Sequence, residues 1–190
     1  MAQDRWKRLD LPLWVAVAVM VAVGWLVIRS VEARTVSFAD PQGSLRVRYP
    51  EGWLPVPGST AALDVQDPLT GAAVPTRLIV VREPRVPDKS LGQVSTETAL
   101  ARSQQLAMYR VVAERAGRVG GKDALIIEYA FVEDPHESVL AAARLPVVVR
   151  GLQVVVFADG VTYHIDLRSA AVIFEQERRQ FDAILREIQF

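Results

Sequence analysis

The residues of this chain best suited to chemistry are few, and they stand apart from one another. Glu133-Asp134-Pro135-His136-Glu137 gathers three carboxylates and an imidazole within five positions, donor types that hold a divalent cation. Glu133, Asp134, His136 and Glu137 are therefore candidate metal ligands, set against the plainer reading of a solvated acidic loop. The second of the two histidines, His164, alternates with Thr162, Asp166 and Arg168 opposite Val161, Tyr163, Ile165 and Leu167. A strand with that period sends its two sets of side chains to opposite faces, which predicts a solvent-facing or interfacial His164 rather than a catalytic base. Gly121-Lys122 invites a phosphate-loop reading, but the motif needs glycine where Ala116 stands and Ser or Thr where Asp123 stands. A glycine turn is the expectation there. Neither histidine has the spacing of a haem-ligand pair.

Cysteine is absent, which removes disulfides, thiolate catalysis, iron-sulfur ligation and covalent haem attachment together. With no nucleophile-base pair in view, no catalytic residue and no cofactor is assigned, and the expected role is non-catalytic. Net charge is zero, and residues 35–190 carry 17 Lys/Arg against 19 Asp/Glu once the N-terminal 34 residues are set aside with five against three. Nucleic acid is not expected as a partner, since that affinity rests on clustered positive charge. Arginine outnumbers lysine 19 to 3 and asparagine does not occur, a bias that fits either a thermophilic source or a GC-rich genome.

The elements that must position these residues begin with an anchor. Leu11 to Ile28 is an uncharged apolar run of 18 residues, roughly 27 Å long as a helix at about 1.5 Å per residue, the thickness of a bilayer core. Trp6, Trp14 and Trp25 stand near its ends, where indole rings favour the interface. Arg5, Lys7 and Arg8 precede the run and Arg29 and Arg34 follow it, so the positive-inside rule places the N-terminus in the cytoplasm by a narrow margin. The competing reading is a secretory signal, with Val31-Glu32-Ala33 as its cleavage site, but an h-region is usually shorter. Ala18 and Ala22 make a small-xxx-small step that can let a second helix approach. The predicted organisation is a cytoplasmic segment 1–10, a transmembrane helix 11–28, a tether 29–35 and an extracytoplasmic domain 36–190. That arrangement belongs to a single-pass protein of the bacterial cytoplasmic membrane.

Within the domain, Val36 to Tyr49 reads as a hairpin about Asp40-Pro41-Gln42-Gly43, with Arg46 and Arg48 outward. Thr76 to Arg82 is a near-continuous apolar run that predicts a central strand covered on both faces. Ser95 to Tyr109 has the composition of a helix capped by Ser95 or Thr96. Strands over 110–115 and 124–132 flank a glycine turn, and a short helix over 138–144 is allowed. Strands over 147–157 and 161–167 flank Asp159-Gly160, a hairpin signal. Phe174, Phe181, Ile184, Leu185 and Ile188 recur at helical spacing within a final helix over 171–188. The fold class is therefore α+β, a mainly antiparallel sheet flanked by helices.

The opening hairpin with its YPEGW turn (Tyr49 to Trp53), the Asp67-Pro68 turn, the GRVGGKDALIIEYAF hairpin, DGVTYHIDLRSA (Asp159 to Ala170) and the Phe-bearing last helix together resemble the PsbP-like family. The resemblance covers residues 36–190. It implies an αβα sandwich and a non-catalytic accessory or assembly role at the lumenal or periplasmic side of membrane complexes, notably photosynthetic ones, and it makes cation binding by the acidic loop worth testing. A retained membrane span departs from the extrinsic photosystem protein. It points to an accessory subunit of a bacterial electron-transfer complex, of which the single-span subunit of the alternative complex III of filamentous phototrophs is one setting. The other expectation is a membrane-tethered binding module or assembly factor.

Overall fold

The computed structural model describes residues 14–24, 34–133 and 145–190, in two units, Met1–Val36 and Ser37–Phe190. In the first unit residues 14–24 form helix α1. Its side chains are exposed, Trp14, Met20 and Val21 by two thirds or more of their surface, among the described residues. Among the described residues no helix is long and apolar enough to cross a membrane. The ends of the predicted span, 11–13 and 25–28, lie outside those residues. Ala18 and Ala22 fall within α1, four apart and so on one side of it.

The second unit is built on a seven-stranded antiparallel sheet. Its order is β3 (Leu54–Pro55), β4 (Leu63–Gln66), β5 (Arg77–Pro84), β9 (Val161–Ala170), β8 (Val147–Ala158), β7 (Lys122–Glu133) and β6 (Ala107–Val119). Strands β1 (Thr35–Ala39) and β2 (Arg46–Pro50) form a separate two-stranded sheet. Both long hairpins turn on two residues with positive φ, Gly120-Gly121 between β6 and β7 and Asp159-Gly160 between β8 and β9. That geometry matches strand twist, and it makes Gly121-Lys122 a hairpin turn rather than a phosphate cradle. The DP turn closes when Asp67 accepts from the Leu69 amide.

Helix α3 (Phe174–Glu187) lies on one face of the sheet. Phe174 and Phe181 meet edge to face with centroids 6.0 Å apart, and both are fully buried with Ile184, Leu185, Leu152, Val154 and Ile165 in the main core. The hairpin of β1 and β2 adds Leu45 and Val47 to that core and leaves Arg46 and Arg48 exposed. Helix α2 (Leu91–Gln105) covers the other face, over a smaller cluster that includes Tyr129, Phe131 and Val149. The result is an α+β domain with a mainly antiparallel sheet flanked by helices.

Two expectations need correction. The middle helix starts at Leu91, not Ser95, because Ser90 and Gln93 make a reciprocal capping box. Gly92 lies in the first turn, and 107–109, expected at the helix end, belong to β6. Strand β5 is interior but not covered on both faces: Leu78 and Val80 are fully buried, whereas Val81 on the α2 side is 37% exposed. Central position falls instead to β9, fourth of seven.

Candidate functional site

The side chains of β9 that alternate as Thr162, His164 and Asp166 do not face solvent. All three are buried, His164 to 7% exposure, which corrects the sequence expectation. The physical reason is α2. Once β9 sits in mid-sheet, its polar face lies under that helix, and burying such groups is tolerable only if they find partners.

They find them within a compact network. Tyr129 Oη donates to Asp166 Oδ1 at 2.5 Å, and Arg102 Nη2 of α2 donates to Asp166 Oδ2 at 3.1 Å. The Arg102 guanidinium also lies 4.7 Å from the Tyr129 ring centroid, a cation-π contact in a largely water-free setting. Tyr129 reaches this place because residue 151, opposite it on β8, is glycine. A Cβ there would come within 2.3 Å of the Tyr129 ring. On the next register, Gln153 Nε2 stands 3.2 Å from His164 Nδ1. That nitrogen therefore accepts, and the neutral ring carries its proton on Nε2.

The electrostatics follow from burial and from Asp166. Burial opposes the charge on Arg102, but the Asp166 carboxylate, together with Tyr129 and Tyr109, more than offsets it and holds the guanidinium more firmly protonated than usual. Burial, then the neighbouring Asp166 charge, pushes the Tyr129 phenol well above its ordinary value. His164 is lowered, first by burial and further by Arg102, although Glu83 and Asp166 pull the other way. The imidazole is therefore neutral near pH 7.

Among the described residues three buried polar groups of this cluster lack a hydrogen-bond partner: His164 Nε2, Arg102 Nη1 and Tyr109 Oη. The nearest carboxylate to His164 Nε2, on the largely exposed Glu83, is 3.7 Å away, beyond hydrogen-bond reach. His164 and Arg102 line a cleft of about 230 Å³ between α2 and the sheet, together with Arg168, Ile79, Val81 and Leu106. A larger cleft of about 530 Å³ lies by the β6–β7 turn. Its charged residues, Arg115, Arg118, Asp182 and Arg186, are all exposed and need no ligand to be solvated.

The acidic segment is divided by the structure. Glu133 ends β7, half-buried, whereas Asp134, His136, Glu137 and the helix expected over 138–144 lie outside the described residues. Among the described residues no group of three or more His, Asp or Glu side chains is placed to hold a metal ion. Sequence reasoning missed Arg102 and Tyr129. Arg102 reads as an ordinary surface residue of a polar helix, and Tyr129 as one more apolar position of β7. The signal that could have found them is the polar half of β9. Four polar residues on one face of a strand flanked by apolar strands require buried counter-groups from whatever covers them.

No family model and no curated protein matches the chain. Solved structures do. The cyanobacterial PsbP protein CyanoP from Synechocystis aligns over 83% of this chain and 92% of its own length, with a TM-score of 0.60 and 17% identity. LpqN of Mycobacterium tuberculosis, a protein involved in cell envelope biogenesis, aligns over 82% of this chain and 90% of its own, with a TM-score of 0.56 and 13% identity. Identities this low carry fold alone, and what they establish is that the domain has a PsbP-like fold.

Proposed function

We propose that this chain is a non-catalytic binding module, tethered to a membrane by its N-terminal helix, whose recognition site is the polar cleft beneath α2. The observation that carries this reading is the condition of the ionisable groups there. Asp166 is occupied by Tyr129 and Arg102, and His164 is turned to Gln153 rather than to a hydroxyl it could activate. The groups left over, His164 Nε2 and Arg102 Nη1, are donors without acceptors among the described residues. Such an arrangement recognises a polar partner and is poorly arranged to move its protons. The exposed apolar side chains of α1 support the tether, because an uncharged apolar run of 18 residues has the length and character of a membrane span. The likeness to LpqN, a protein involved in cell envelope biogenesis, is in keeping with an extracytoplasmic domain.

A second reading is an accessory subunit of a membrane-bound electron-transfer complex. It draws on the likeness to a cyanobacterial PsbP and on exposed Met108, Val111 and Val112 along edge strand β6, a surface a partner subunit could cover. Affinity purification of the tagged full chain after mild detergent extraction separates the two. Cofactor-bearing subunits recovered in fixed stoichiometry establish the second reading. A chain that extracts free of them, or with a client only, favours the first.

A further inference from the structure

We infer that the outer edge of β6 is a dimer interface, on which Ala113 to Val119 pairs antiparallel with the same segment of a second copy of this chain, in a register centred on Ala116. This surface is separate from the cleft beneath α2, so pairing here holds or fails apart from the binding-module reading. Strand β6 ends the seven-stranded sheet, and among the described residues no strand pairs with its outer side. Such an edge presents a row of main-chain N–H and C=O groups on which another strand can form. Ala113 to Ala116 are exposed whichever face their side chains take, so neither described helix of the domain covers that length. Proteins commonly protect an edge with bulges, and β6 has its irregularities in the first half. Its register on β7 shifts between Ala107 and Arg110 and again between Val111 and Ala113, whereas Ala113 to Val119 pairs residue for residue with Glu128 to Lys122. The second half keeps the regular spacing that a further strand needs.

Charge selects the partner and the register. Opposed residues of antiparallel strands share a face. Glu114, Ala116 and Arg118 lie on the α2 side, where Ser95 Oγ donates to Glu114 Oε2 at 3.2 Å, and Arg115, Gly117 and Val119 lie on the α3 side. Centring on Ala116 sets Glu114 opposite Arg118 of the second copy and Arg118 opposite its Glu114, two ion pairs from one symmetric contact. The Arg118 side chain is 73% exposed and stands 3.5 Å from Asp123 on β7, so each Arg118 becomes the middle of a ladder of alternating charge. Arg115 falls opposite Gly117, which has no side chain to crowd it. Centring on Glu114, Arg115 or Arg118 instead sets like charges face to face, which is destabilising. Centring on Ala113, Gly117 or Val119 shortens the regular pairing and forms no ion pair within it.

The test exploits the absence of cysteine from the chain: Ala116→Cys introduces a single thiol on an exposed residue. The full chain, in detergent micelles that outnumber it, is treated with a mild oxidant and read on a non-reducing gel. Opposed Cα atoms of antiparallel strands are about 4.5 to 5.5 Å apart, within disulfide reach. In this register the two Ala113 positions are offset along the strands by roughly 20 Å, at about 3.4 Å per residue. Ala116→Cys should therefore cross-link to dimer and Ala113→Cys should stay monomeric. Adding Glu114→Arg or Arg118→Glu to Ala116→Cys sets like charges opposite each other and should lower cross-linking severalfold. An equimolar mixture of those two variants, carrying different tags, restores opposite charges across the contact and should recover cross-linking as mixed dimers. Equal cross-linking at both positions, cross-linking at neither, no loss on changing one charge, or a mixture that stays monomeric overturns the inference.

Discussion

At the scale of single residues, the buried face of β9 is a case of charge made tolerable by pairing. An ion pair taken out of water contributes little net stability, whereas removing one partner leaves the other stranded. Asp166→Ala should therefore cost about 3 to 5 kcal/mol in chemical denaturation, because Arg102 keeps its charge beneath α2. The double change Arg102→Met with Asp166→Leu should recover most of that loss. Gly151→Ala should be nearly as damaging as the single change, since a methyl at that position drives the Tyr129 ring away from Asp166. His164 gives the network a pH signature. Its folded pKa is lowered mainly by burial, against Glu83 and Asp166 and with Arg102, so the unfolded chain binds the proton more readily. The contribution is full above the unfolded value of about 6.5 and is lost as pH falls below it. Melting temperature should decline from pH 7.5 toward pH 5.5 in the parent and decline less in His164→Gln. A separate loss belongs to more acid solution. Asp64 would be raised by burial, but two hydrogen bonds from Arg77 hold it below its ordinary value, so that contribution vanishes only below about pH 4.

The two described helices of the domain differ in what they do at the scale of elements. Helix α3 is welded to the sheet by Phe174, Phe181, Ile184 and Leu185, and Phe181→Ala should cost about 3 to 5 kcal/mol because the ring is fully buried. Helix α2 is held by its capping box, its polar contacts and one buried serine. Ser90→Ala should cost only about 1 kcal/mol and should raise amide exchange within 91–105 while leaving α3 unchanged. This contrast explains what was legible in the sequence. The stripe of α3 is apolar at helical spacing and shows which face is buried. Helix α2 has no such stripe, so composition revealed a helix but neither its start nor its burial partner. Its true start lay in Ser90-x-x-Gln93, overlooked because Gly92 reads as a breaker. The glycine and Asp-Gly hairpins were readable because their signal is local, a pair of positive-φ residues between alternating runs.

Strand order belongs to the whole molecule and was not readable. Hairpins β6–β7 and β8–β9 announce themselves, but the join of β5 to β9 across some eighty residues leaves no local trace, and it is this join that buries His164 and Asp166. The candidate site was missed for the same reason: its residues come from α2, β5, β7, β8 and β9, and only long-range pairing brings them together. The core described for the sheet, α3 and the β1–β2 hairpin is drawn from residues 38 onward, so a chain truncated before Thr35 should be soluble and melt cooperatively. Aggregation without a structured species would show that the domain needs its N-terminal segment. A reporter fused after Phe190 should be active only outside the cytoplasm, and cytoplasmic activity would reverse the topology. The proposed span carries the last prediction. In α1, Ala18 and Ala22 share one side, where two small side chains let a neighbouring helix come close enough for dense packing. Lipid tails are as apolar as leucine, so Ala18→Leu with Ala22→Leu leaves insertion favourable but adds bulk where the second backbone would lie. If the chain docks through this side, the double variant should remain in the membrane fraction and lose its copurifying partners. Full copurification would instead move the contact to another side of the span or to the exposed edge of β6.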